Sequence, residues 1–261
     1  MIGNDSLKRL KDAGKVNWTS WREAIERELD YISKTQDYFG GPSSETIHAI
    51  RKSIKFVKAL LILAPSSIAK DVKVISIKIS KTSKKLSKIR NRHVHLQVLG
   101  QFTFAHDSKE KITLTDAEFN KLKKAQKQIK KINAIFNAVP TPREDKKQIL
   151  GQIEKQIKRT ERIRPKNWNA RKIKSIHKYR TALICENNQL LFLNSLTGRP
   201  SVKKLKRLDL HRQMLGQVND LSQSINKLNS TIPSSKHDRG ILRKMKDRRK
   251  KLFEKLAYEK S

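Results

Sequence analysis

Apolar residues recur in this chain at steps of three and four, a rhythm that suits packed helices and little else. Ile47, Ile50, Ile54, Val57 and Leu61 step by 3, 4, 3 and 4. Side chains at those spacings stack on one face of an α-helix and form a stripe that must be covered. A second seam runs through Ile75, Ile79, Thr82, Leu86, Ile89, His93 and Leu96, stepping by 4, 3, 4, 3, 4 and 3. Its first part also reads as a strand, because Val72, Val74, Ile77 and Ile79 are β-branched and alternate. The longer window decides for helix, since a strand has no use for a three-and-four seam of that length.

Turn residues divide the chain into segments of helical length. Breaks fall at Gly40-Gly41-Pro42, Pro65-Ser66-Ser67, 100–111, Pro140-Thr141-Pro142, Pro165, Gly198-Arg199-Pro200 and Pro233-Ser234-Ser235. Eight helices are predicted, over roughly 19–38, 44–63, 67–99, 116–138, 143–164, 167–195, 201–230 and 235–259. Thr19 or Ser20, Ser43 or Ser44, and Thr115-Asp116 supply N-caps for three of them. Nine glycines and seven prolines are too few for the turns of a many-stranded sheet. The expected fold is all-α, with short connections that favour antiparallel neighbours and bundle packing. The break at Pro140-Thr141-Pro142 leaves four helices on each side, halves of about 16–138 and 143–258 to be tested as an internal repeat.

Charge narrows the function. Sixty Lys and Arg face 24 Asp and Glu in 261 residues, a formal charge of +36. Such an excess repels itself in a compact state and attracts polyanions. The partners it selects are nucleic acid, an anionic membrane surface or a phosphate polymer. The single cysteine, Cys185, excludes an intramolecular disulfide and a cysteine-cluster metal site, in keeping with a reducing compartment. Residues 1–15 lack the apolar core of a secretory signal, and the apolar run 59–64 is too short to span a bilayer. The expectation is a soluble, cytoplasmic protein with no membrane insertion.

The cations are patterned as well as numerous. One residue after each seam position in the second helix come His48, Arg51, Lys55 and Lys58, with Lys52 beside them. This puts a cationic stripe about 100° around from the core stripe. The third helix is expected to repeat the arrangement with Lys78, Lys81, Lys85, Lys88, Arg92 and His95. Like charges at these spacings each cost a few tenths of a kcal/mol, a penalty that a bound polyanion relieves. In the second half, Ile47-His48-x-x-Arg51 recurs as Ile176-His177-x-x-Arg180, with Arg171, Lys172, Lys174 and Lys178 nearby. Lys203, Lys204, Lys206, Arg207, His211 and Arg212 gather on the seventh helix. Set side by side, these helices would line one long groove with cations. Lone helical histidines more often sit at a core edge or on the surface, and His237 is read so.

These residues resemble the CHAD family, the conserved histidine α-helical domain. The family's first helix follows a short acidic turn and carries His-x-x-Arg-x-x-x-Lys-x-x-Arg. It is matched here by Glu45, His48, Arg51, Lys55 and, with Lys for the last Arg, Lys58. Arg90-Asn91-Arg92-His93-Val94 is similar to the family's Arg-Asp-x-Asp-Val, without its two acids, and Leu215-Gly216-Gln217-Val218-Asn219-Asp220 to its Leu-Gly-x-x-Asn-Asp segment. For the second histidine helix two registers stand. One puts Trp168 at the histidine position, followed by Arg171, Lys172, Lys178 and Tyr179. The other uses His177 and Arg180 and meets Ile184 and Cys185 where cations are expected. The resemblance spans about 16–258. It implies two pseudo-symmetric four-helix bundles around a basic central channel that binds inorganic polyphosphate, with no catalytic role and no cofactor. The residues it brings in are those of the stripes together with Arg90, Arg92 and His93.

Polyphosphate offers charge at every repeat and no bases to read, which suits forked Arg and mobile Lys. Sequence-independent nucleic-acid binding is the rival, because charge alone does not separate the two. Only 6% of residues are aromatic, and no stacking platform, zinc spacing or RNP-type motif accompanies the basic stripes. An enzyme would need paired carboxylates or a metal cage, and the densest acids, Glu23, Glu26, Glu28 and Asp30, read as the outer face of a helix. Interfacial membrane binding would need an aromatic face beside the basic one, whereas Trp18 and Trp21 read as core. Storage in polyphosphate granules, phosphate sensing and scaffolding would all use the same groove. Oligomeric state is left open, since the stripe Ile149, Ile153 and Ile157 fits a bundle interior or a dimer interface equally well.

Overall fold

A computed structural model describes residues 16–38, 43–103, 114–143, 145, 147–200, 202–230 and 236–258. The breaks at Gly40-Gly41-Pro42 and Pro233-Ser234-Ser235, most of 100–111, and the polar stretch 1–15 lie outside the described residues. Among the described residues the chain is helical and has no strand. The helices are α1 (Trp18–Tyr38), α2 (Ser44–Leu61), α3 (Ala69–Gly100), α4 (Asp116–Asn137), α5 (Lys147–Arg162), α6 (Ile173–Thr197), α7 (Val202–Ser230) and α8 (Lys236–Tyr258).

Side chains fix several of the ends. Asn17 caps α1, accepting from the Ser20 backbone at 2.9 Å, so the cap falls two residues before the expected Thr19. Ser43 opens α2 in a reciprocal box with Thr46, and Thr115 opens α4 in another with Glu118. Gly198 closes α6 with φ of 68°, and its N–H reaches the Asn194 carbonyl at 2.8 Å.

The first four helices close on themselves: α1 packs on α2 and α4, and α3 packs on the same two. Both tryptophans of α1 belong to this core, set edge-to-face at 5.7 Å. Trp21 also donates its indole N–H to the Leu60 carbonyl of α2 at 2.8 Å. In the strand-like stretch, Val72 and Ile79 are buried while Val74 and Ile77 face water, as helical periodicity requires. The α3 seam holds as far as His93 and then turns. Leu96 is exposed, and His95 and Val98 point inward instead. By that point α3 has begun to pack on α7, and Val98 belongs to a second core built from α6, α7 and α8.

The two cores do not divide at Pro140. Ile149, Ile153 and Ile157 of α5 are buried in the first core together with Leu190, Phe192 and Leu193 of α6. The α5 stripe therefore packs inside the molecule. The halves also meet where α2 packs on α6 and α3 packs on α7. Gln189 of α6 spans the first contact, donating to the Ala59 carbonyl of α2 at 2.9 Å.

Candidate functional site

The α2, α3, α6 and α7 helices enclose an open cleft of about 1000 Å³. His48, Arg51, Lys52 and Lys55 enter it from α2, Arg90 from α3, Arg180 from α6, and Lys206 and Arg212 from α7. A neighbouring hollow of about 810 Å³ shares His48, Lys52 and Arg90 and runs toward Glu28 of α1 and Glu45 at the start of α2. The groove is thus cationic at its α6–α7 end and mixed in charge at the other.

Two of its arginines rest on small residues. Arg51 donates to the Ser83 carbonyl at 3.3 Å and to the Ser87 hydroxyl. Arg180 lies over Gly216, where an added Cβ would meet its guanidinium at 3.6 Å. His177 sits near Asn219, with Nδ1 3.3 Å from the amide oxygen. In sequence, His48 and His177, Arg51 and Arg180, Ser87 and Gly216, and Arg90 and Asn219 each lie 129 residues apart. Of the residues in the two registers for the second histidine helix, Arg180 enters the cleft, while His177 is exposed and lies outside its lining. Trp168 packs in the second core, edge-to-face with Tyr179 and His211.

Both acids of the basic end already have cationic partners. Arg90 reaches Asp220 with two nitrogens, at 3.4 and 3.3 Å. Asp209 accepts from Arg212 at 2.8 Å and from Gln213 at 2.7 Å; burial opposes its ionisation, but these bonds hold its pKa below the ordinary value. The remaining cations face one another. Burial, then Arg90 and Arg180, lower the Arg51 pKa to about 10, with Asp220 partly offsetting them. Burial, then Arg180, Arg51, Arg90 and Arg212, bring the Lys55 ammonium down to about 7. His48 is lowered by burial and by Arg90, and Arg180 by burial against the opposing pull of Asp220. Surplus positive charge at such depth makes the electrostatic potential of the cleft positive.

Several expected site residues lie elsewhere. Lys58 is half-buried, close enough to Cys185 to act on its thiol, and does not line the cleft. Lys85 points to water on the far side of α3, while Lys88 and Arg92 line a separate hollow between α3 and α7. Burial places His93 against Glu118 at 3.3 Å, although it also edges the 810 Å³ hollow beside the cleft. His211 is 8% exposed and packs on Trp168 and Tyr179, a core histidine where a groove residue was expected. Arg171, Lys172, Lys174, Lys178 and Arg207 are exposed, and Lys204 is half-buried near Glu186.

The sequence reading passed over Asp209, Asn187 and Gly216 as site residues, though all line the cleft. A signal for most of them exists. On α2 the cleft residues follow the seam by one position, and the same rule on α3 selects Ser83, Ser87 and Arg90. On α6 it selects His177, Arg180, Ile184 and Asn187, and on α7 Arg212, Gly216 and Asn219. The lysine stripe of α3 precedes its seam by one and therefore faces the opposite way.

Among the described residues, no group of three or more His, Cys, Asp or Glu is placed to hold a metal ion, and no helix is long and apolar enough to cross a membrane. Comparison with protein-family models, with curated proteins and with solved structures finds no match to this chain.

Proposed function

We propose that this protein binds inorganic polyphosphate along the cleft, without catalysing a reaction on it. One observation carries this reading. Arg51, Lys55, Arg90, Arg180 and Arg212 converge from four helices on one cleft whose acids, Asp209 and Asp220, are already paired. A flexible chain with a charge at every repeat can thread a cleft and meet cations at its floor. The phosphates of a duplex lie on a broad rigid surface and would meet the exterior lysines first. The basic end of the cleft has no aromatic lining on which bases could stack.

A divergent kinship with the CHAD family belongs to the same proposal, as do two pseudo-symmetric halves and a cytoplasmic location. Support for the kinship comes from two of the segments that resemble the family's motifs, around His48 and around Gly216, both of which line the cleft. The shared separation of 129 residues between His48 and His177 and between the cleft residues Arg51 and Arg180 supports the repeat.

The test is a competition titration at fixed, near-physiological salt. Labelled long-chain polyphosphate is challenged with duplex DNA and single-stranded RNA, using the native chain and the triple variant His48→Ala, Arg51→Ala, Lys55→Ala. Preference for polyphosphate that vanishes in the variant is the expected result. Equal binding of all three polymers, unchanged in the variant, would leave general cationic adhesion and make nucleic acid the leading partner.

A further inference from the structure

On the other side of the Arg90–Asp220 pair lies a smaller hollow of about 300 Å³ between α3 and α7. Lys88, Arg92 and His95 line it from α3, and Asp220, Ser224 and Lys227 from α7. Its one acid is engaged by Arg90. Arg92 reaches Glu118 at 2.9 Å and keeps further N–H groups. Two polar atoms in the lining are buried and have no partner: Nδ1 of His95, a residue 8% exposed, and Oγ of Ser224, a residue 1% exposed. Buried polar atoms without partners are uncommon in folded proteins, and those at the edge of a cationic hollow point to an absent ligand.

We infer that this hollow is a second anion site, sized for one compact tetrahedral oxyanion such as orthophosphate and separate from the long cleft. Lys88, Lys227 and Arg92 supply the charge, while Ser224 and His95 supply short, directional donors deeper in. The volume is less than a third of the cleft's, which suits a single phosphoryl group better than a polymer. The same chemistry could arrive as free phosphate or as the end of a chain whose body lies in the cleft, and the two sources predict different responses.

The site can be read through the ring resonances of His95, assigned by their loss in His95→Gln. Orthophosphate is titrated at constant ionic strength with chloride as the balancing anion. Free-anion binding predicts a saturable His95 shift, weakened about fivefold in Lys88→Gln, the factor for losing one solvent-facing charge. Ser224→Ala should weaken it too, whereas Arg180→Gln, which lies in the long cleft and outside the lining of the hollow, should leave it unchanged. Lys88 is exposed, so folding of its variant is not at stake. An absent or non-saturable shift overturns the site. A shift that responds to long-chain polyphosphate but not to orthophosphate, and disappears in Arg180→Gln, also overturns it and makes the hollow an extension of the cleft.

Discussion

Arg90 clasps Asp220 across the contact between α3 and α7, its two terminal nitrogens 3.4 and 3.3 Å from the two carboxylate oxygens. Both side chains are about four-fifths buried. The pair joins the two halves of the chain and also sets the charge of the cleft floor. Asp220 supports the protonated state of Arg51 and Arg180, while Arg90 opposes it.

Replacing Asp220 by Asn should therefore separate stability from binding. Arg90 would be left facing Arg51 and Arg180 without its carboxylate, and loss of one partner from a partly buried pair costs about 1–3 kcal/mol. Chemical denaturation without ligand should show that loss. Saturating polyphosphate supplies the missing negative charge, so the difference from the native chain should shrink on its addition. A loss that ligand does not reduce would mean that the pair acts only as a clasp.

The cleft arginines and the outer lysine stripe should behave oppositely. Arg51→Ala and Arg180→Ala each remove charge-assisted hydrogen bonds worth about 1.5–3 kcal/mol to a bound phosphate, a loss of roughly ten- to hundredfold in affinity. Lysine at either position should restore little, because a point charge does not reproduce the planar fork. Lys81→Gln and Lys85→Gln, on the solvent side of α3, should change binding at fixed salt by less than about 0.5 kcal/mol. Calorimetric titration of the six variants checks the ordering.

Much of this was legible in the sequence, and the parts that were not share a cause. Seam spacing is a local property, so the helices and the α2 cations could be read directly: His48, Arg51 and Lys55 face the cleft as expected. Which flank of a seam faces a ligand depends on the neighbouring helices. For α3 the abundance of lysine pointed to the flank away from the cleft, and the flank toward it carries Ser83, Ser87 and Arg90. The surroundings of His93 and His211 were hidden for a related reason. Histidine on a seam is indistinguishable from histidine in a site until its neighbours are known, here Glu118 for one and Trp168 with Tyr179 for the other. The α5 stripe was ambiguous because a bundle interior and a dimer interface demand the same apolar face.

That stripe gives a prediction of its own. Ile153 is 1% exposed within the first core, so Ile153→Ala should cost about 2–5 kcal/mol through lost burial and the cavity left behind. Because the contact is intramolecular, the decrease in Tm should be the same across a hundredfold range of protein concentration. A concentration-dependent decrease would assign the stripe to an interface between copies.

Lys55 couples the cleft to pH. Its ammonium is lowered to about 7 by burial and by the arginines around it, against an ordinary value of 10.5. Between those two values the unfolded chain holds a proton at this position that the folded chain has released. Ligand-free stability should therefore rise as pH increases from 7 towards 10.5, and Lys55→Met should flatten that rise. Binding runs the other way. A polyanion favours the charged form, so above pH 7 it must draw a proton onto Lys55, and affinity should fall roughly fivefold between pH 7 and 8. His48, lowered by burial and by Arg90, extends the same trend below its ordinary value of 6.5. Titrations at pH 8 in two buffers of different ionisation enthalpy should reveal the proton taken up. Lys55→Met should take up none at that pH, and an affinity unchanged between pH 6 and 8 in the native chain would remove both groups from the binding equilibrium.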